Sequence, residues 1–273
     1  MKYTYSLFTS IFLGIFLFTS CNNSDTVDEI TEPGSLTILM ESKFDTENIN
    51  VSPNFSYSST TDNQISFTRF EYIISNVTLE LEDGSSYLVP DSYYIMGQRS
   101  DSQVPRELIE INDIPAGTYT GISFSVGVDP TTNANTDTYE KGDLQAGIGM
   151  DWGWASGYKF IRWDGQYFNT AENNDINFSF HIGEDDNYRT IEKTFAQAIT
   201  INGEMETTLN FNVRADEVFN AINLNDLGLN FPPSEPVKTF TGVMFGPVDK
   251  ATVIANAYAD MFVLWGEENN AMN

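Results

Sequence analysis

Val77-Thr-Leu-Glu-Leu-Glu-Asp-Gly-Ser-Ser-Tyr-Leu-Val89 reads as a β-hairpin, and that reading decides the fold class. Val77, Leu79 and Leu81 alternate with Thr78, Glu80 and Glu82, so an extended chain places the apolar side chains on one face. Asp83-Gly84 tolerates positive φ for a tight reversal, after which Tyr87 to Val89 pairs back. Upstream, Phe67, Tyr72 and Ile74 carry the strand pattern back to Ile65.

The same alternation recurs in both directions. Thr118 to Val128 alternates through Thr120, Ile122, Phe124, Val126 and Val128 and stops at Asp129-Pro130. In Asn177 to Ile182, Phe178, Phe180 and Ile182 share one face, and Asn177, Ser179 and His181 share the other. Leu36–Met40, Ser92–Met96, Leu108–Ile111, Tyr158–Trp163, Gln166–Phe168, Arg189–Phe195 and Thr207–Val213 read as further strands. Asp164-Gly165 reads as a second tight turn and Ile114-Pro-Ala-Gly117 as another. Residues 130–147 read as one long loop. Two helices are expected: a short one at Ala215–Ala221, and a C-terminal one over Val248–Leu264 with Asp249 as N-cap, where Ile254, Ala257, Tyr258, Met261 and Trp265 fall at helical spacing. Short strands separated by turn signals, without the crossovers of a parallel α/β sheet, predict an all-β fold. The expectation is an antiparallel β-sandwich with long loops and a C-terminal helix, one domain over 36–273.

Ahead of that domain, Lys2 and the apolar run Ile11–Phe18 form a secretory signal over residues 1–20. Phe18-Thr-Ser-Cys21 then reads as a lipobox, so Cys21 is the expected lipidated N-terminus and the link to the membrane. Residues 21–35 form a flexible acidic tether. Together these predict a lipoprotein anchored in the outer membrane, facing the periplasm or the cell surface. Cys21 is the only cysteine, so thiolate catalysis and cysteine-based zinc sites are excluded. A net charge of −26 argues against nucleic acid as a partner.

The residues permit little catalysis. No G-x-S-x-G elbow, P-loop or dinucleotide fingerprint occurs, and His181 is the only histidine, so the chain is not expected to be an enzyme. Asp129, Asp137, Glu140 and Asp143 on one loop supply oxygen ligands of the kind calcium takes, without EF-hand spacing. Met150-Asp-Trp-Gly-Trp-Ala-Ser-Gly-Tyr-Lys-Phe160, followed by His181, offers a second chemistry. The soft sulfur of Met150 and the π faces of Trp152 and Trp154, together with His181, suit Cu(I). The alternative is a histidine hydrogen-bonded on a sheet surface with tryptophans packed over it.

Five ordered motifs carry a resemblance: Phe70-Glu-Tyr-Ile-Ile-Ser-Asn-Val-Thr-Leu79, Ile114-Pro-Ala-Gly-Thr-Tyr119, Ile122-Ser-Phe-Ser-Val-Gly-Val-Asp129, Gly149 to Phe160, and Phe178-Ser-Phe-His-Ile-Gly183. In this order they resemble the MbnP-like family of methanobactin-associated and methanotroph surface copper-binding proteins. The resemblance implies Cu(I) held by two histidines and a kynurenine made from tryptophan, with a di-haem peroxidase-type partner associated with that oxidation. On these motifs His181 matches the histidine of H-x-G, and Trp152 or Trp154 lies in the segment that supplies the tryptophan-derived ligand. The single histidine departs from the two-histidine pattern. The competing expectation is a calcium-stabilised surface module that grips a glycan or peptide with its aromatics.

Overall fold

A computed structural model describes residues 32–52, 54, 56–59, 64–99, 104–135, 141–145, 148–152, 157–169, 173–224, 240–244 and 248–265. Cys21, Asp137, Glu140 and Trp154 lie outside them. Strands dominate: β1 (Gly34–Phe44), β2 (Glu47–Asn48), β3 (Tyr57–Ser58), β4 (Gln64–Leu81), β5 (Ser86–Leu88), β6 (Tyr93–Arg99), β7 (Leu108–Ile114), β8 (Gly117–Val126), β9 (Lys159–Asn169), β10 (Asn174–Gly183), β11 (Arg189–Ile201), β12 (Glu206–Arg214), β13 (Phe240–Met244) and β14 (Phe262–Leu264). Among the described residues three α-helices accompany them, α1 (Pro130–Asn133), α2 (Asp216–Ala221) and α3 (Val248–Asp260), with a short 3-10 helix at Asp185–Asn187.

The strands form a nine-stranded sheet, ordered β11-β8-β4-β9-β10-β13, and a five-stranded sheet, ordered β14-β12-β1-β2, with β7 also on β1. The long β4 organises the larger sheet. It pairs with β9 over Gln64–Tyr72 and with β8 over Ile74–Leu81. It pairs with β6 over Arg69–Ser75, a stretch that overlaps both others, so β6 must occupy the opposite edge.

The two sheets face each other across an aromatic core. Phe124 of β8 meets Phe211 of β12 edge-on at 5.5 Å, and Phe262 of β14 meets both Tyr72 at 5.9 Å and Phe124 at 5.1 Å. Leu36, Ile38 and Met40 on β1 are fully buried, as the alternating burial of that strand requires. This is the sandwich-like all-β fold with a C-terminal helix that the alternation predicts.

Several local expectations are corrected. Each sheet contains one parallel pair, β1 with β12 and β10 with β13, so the sandwich is mixed rather than wholly antiparallel. Asp164-Gly165 is not a turn but the middle of β9. Gly165 is there for close approach: a Cβ on it would stand 2.0 Å from the Ser66 carbonyl oxygen and 2.7 Å from the Phe178 ring. The C-terminal helix ends at Asp260, because Phe262–Leu264 leaves it to pair with Val213, Asn212 and Phe211 of β12. The helix already includes Asp249, which is therefore not its cap. The loop after Asp129 opens with α1, capped by Asp129 accepting from the Thr132 N–H and started by Pro130.

The nine-stranded sheet also buries part of its outer face. Ile73, Ile95, Val128, Leu144, Met150, Tyr158 and Phe160 form a second apolar cluster there. Segments 141–145 and 148–152 thus lie against this face, beside a strip of charged residues.

Candidate functional site

Strand register builds that strip. Phe70, Trp163 and Phe180 point into the core, so their neighbours along each strand point out. Across β4, β9 and β10, Arg69 stands opposite Asp164, which stands opposite Ser179; one step on, Glu71 stands opposite Arg162, which stands opposite His181. Charges of opposite sign therefore alternate in both directions across the grid, which favours pairing over repulsion.

His181 is held firmly. Its Nε2 lies 2.8 Å from Asp164 Oδ1, and Ser179 Oγ donates to the same oxygen at 2.5 Å. Burial works to raise the Asp164 carboxyl, but the His181 and Ser179 hydrogen bonds and the nearby Arg162 charge outweigh it and hold the pKa below the usual aspartate value. An ionised carboxylate only accepts, so Nε2 carries the proton and Nδ1 keeps the lone pair in the neutral ring. Histidines that bind metals are oriented in this way by an outer carboxylate.

Segment 148–152 closes over the grid. Arg162 Nη1 donates to the Gly149 carbonyl at 2.7 Å, and Lys159 Nζ donates to the Asp151 carbonyl. The Lys159 ammonium also sits 4.5 Å from the centre of the Trp152 ring, a cation–π contact. Trp152 in turn reaches β10: a Cβ on Gly183, two residues beyond His181, would stand 3.2 Å from the indole Nε1. The same Cβ would stand 2.4 Å from the Tyr158 carbonyl oxygen, so a larger residue at 183 would force the backbone apart as well as crowd the indole.

The cations under this segment crowd one another. Burial, then the positive charge of Arg162, lowers the Lys159 amine to about 8. Burial also lowers Arg69 despite its bond to Glu71, with Arg162 and Arg99 adding to the effect. Because the folded pKa of Lys159 lies below its ordinary 10.5, folding disfavours its proton. Its contribution to stability is lowest while the amine is charged and rises with pH from about 8 to 10.5. A carbon-detected NMR titration of the Lys159 ε-methylene is expected to show a midpoint near 8; an unshifted midpoint would contradict the crowding.

The other candidate residues are placed as follows. Met150 is fully buried in the outer apolar cluster, and its carbonyl accepts from the Lys159 N–H. Asp129 accepts from Tyr93 Oη at 2.6 Å and caps α1. Asp143 accepts from the Ile95 N–H at 3.0 Å and from Arg106 Nη2 at 2.6 Å. These two carboxylates are occupied by protein donors, and among the described residues no three His, Cys, Asp or Glu side chains gather as a metal would require. The expected calcium cage is therefore not what Asp129 and Asp143 form; Asp137 lies outside the described residues, as does Trp154.

Arg69, Glu71, Lys159, Arg162 and Asp164 escaped the sequence reading. For four of them the signal is present as charges alternating with Phe70 and Tyr72, and with Ile161 and Trp163; Lys159 falls out of that phase. Taking Asp164 for a turn residue hid it.

Comparison with known proteins gives one family and one structure. The MbnP family model matches residues 33–237, well over half of the chain. No curated protein matches. Among solved structures, MbnP from Methylosinus trichosporium is similar over 69% of this chain and 78% of its own, at 11% identity and a TM-score of 0.45. On the extent of the family match, the chain belongs to the MbnP family.

Proposed function

We propose that this protein is a lipid-anchored, extracytoplasmic copper-binding protein that handles or stores Cu(I), with His181 as its imidazole ligand. The observation that carries the reading is the Asp164–His181 pair on the outer face, which leaves Nδ1 as the donor nitrogen. Trp152, lying against Gly183 of β10, is the described tryptophan of the segment in which the family resemblance places the oxidised one. Met150 supplies the soft donor only if its buried sulfur turns out of the apolar cluster, and Trp154 remains the further tryptophan of the segment.

Local charge fits a monocation better than a dication. Arg69, Arg162 and Lys159 surround the pair and would each repel a bound metal ion, and that repulsion doubles for a charge of two. One imidazole with soft or π donors favours Cu(I) for the same reason of ligand type.

Anchoring through lipid on Cys21 in the outer membrane rests on the lipobox alone. A di-haem peroxidase-type partner follows from the family resemblance alone, and no catalytic role is assigned to the chain itself. Titrating the purified domain with Cu(I) against a competing chelator tests the reading. One tightly held equivalent is expected, weakened roughly 10- to 100-fold in Asp164→Asn, since loss of an outer carboxylate disorients the ligand. No uptake by the wild type would dismiss copper binding.

A further inference from the structure

Strand register sets a residue beside His181 that the sequence reading passed over. On one side His181 stands opposite Arg162 of β9. On the other, the parallel pair of β10 with β13 sets Asn177, Ser179 and His181 beside Phe240, Gly242 and Met244. Residues in register on adjacent strands share a face of the sheet, and the strands lie about 4.8 Å apart. Met244 therefore holds the position next to His181 on the outer face. Of the three β13 residues on that face, only the methionine is of a type that donates to a metal through its side chain.

A second donor is what His181 lacks. The chain has no other histidine, and the β9 side of the ring is already committed. Asp164 Oδ1 takes Nε2 at 2.8 Å, and Arg162 is a cation without a lone pair to give. With Cys21 the only cysteine, sulfur in the domain comes from methionine alone. Met150 packs with Ile73, Tyr158 and Phe160 in the outer apolar cluster, which its sulfur would have to leave. Met244 lies beyond residue 237, where the family match ends, so it is the register of this chain that singles it out.

We infer that Met244 is the second copper ligand, completing a mixed nitrogen and sulfur site with Nδ1 of His181. The inference rests on the copper reading above and names the residue that stands in for the missing imidazole. A thioether is a soft donor of the kind that selects Cu(I). Being neutral, it leaves the ion's charge to set the repulsion from Arg162 and Lys159, which is smaller for a monocation.

Copper K-edge X-ray absorption on the protein loaded with one equivalent of Cu(I) tests the inference. A sulfur scatterer is expected in the wild type and in Met150→Leu, and is expected to be lost in Met244→Leu, a substitution that conserves volume and so the fold. In the chelator competition Met244→Leu is expected to weaken Cu(I) by at least the roughly tenfold that loss of an outer-shell partner costs. Met244→His, which sets a second imidazole at the same position, is expected to restore tight binding with nitrogen in place of sulfur. Copper bound by the wild type without a sulfur neighbour would overturn Met244 as a ligand and leave the copper reading standing, as would a sulfur signal that survives in Met244→Leu. No copper uptake by the wild type would overturn both.

Discussion

Phe219→Ala is expected to cost about 3–5 kcal/mol of stability, the range for truncating a large buried aromatic. Phe219 is 1% exposed on α2, yet it touches more of the core than its six-residue helix suggests. Its ring lies 5.7 Å from Phe44 of β1, 5.7 Å from Phe67 of β4, 6.0 Å from Trp163 of β9, and 5.5 and 5.7 Å from Phe178 and Phe180 of β10. One side chain thus closes the end of the sandwich between strands of both sheets. Truncation would leave a cavity walled by five rings on four strands that cannot all collapse together. Urea unfolding measures the effect as a lower midpoint at unchanged slope. A loss below about 1 kcal/mol would mean that the rings repack and that Phe219 is not the plug.

The position of that helix was readable, since Ala215–Ala221 was expected and α2 spans Asp216–Ala221. Its role was not, because period and propensity say where a helix forms and not which gap it fills. The same division runs through the chain. Alternation at Val77–Leu81, Ile122–Val126 and Phe178–Ile182 gave strands and their buried faces correctly, because side-chain direction in a strand depends only on local geometry; Val128, past the end of β8, falls instead in the outer apolar cluster. Partners were not legible. Nothing in Leu36–Met40 or Thr207–Val213 marks them as a parallel pair, and Asp-Gly at 164–165 carries turn chemistry although Gly165 exists to admit the Phe178 ring. The candidate site suffered from the same limit. His181 could be placed on a polar face, but its partners Asp164 and Arg162 come from the neighbouring strand, and only register brings them to it.

His181→Ala is expected to abolish tight Cu(I) uptake, a larger loss than the roughly 10- to 100-fold assigned to its outer partner Asp164. With no second histidine in the chain, no other imidazole can take over the metal, so the single substitution is decisive. It is also clean. His181 sits on the polar face of β10, its side chain 12% exposed, while Phe180 and Ile182 hold the strand to the core. The variant should therefore keep the near-ultraviolet circular dichroism of the wild type while losing copper in the chelator competition. Uptake equal to wild type in a folded variant would dismiss His181 as the ligand and favour the other role for the aromatic segment, a surface module that grips a glycan or peptide. Those readings separate on a glycan array, where binding that survives His181→Ala belongs to the surface module. They separate again on the intact mass of protein from its native host, where tryptophan oxidation and bound copper found together support the copper reading. The physical argument rests on one asymmetry. Asp164, Ser179 and Arg162 all serve to fix the imidazole from its Nε2 side, and a ring fixed on one side by an ionised carboxylate presents its lone pair on the other.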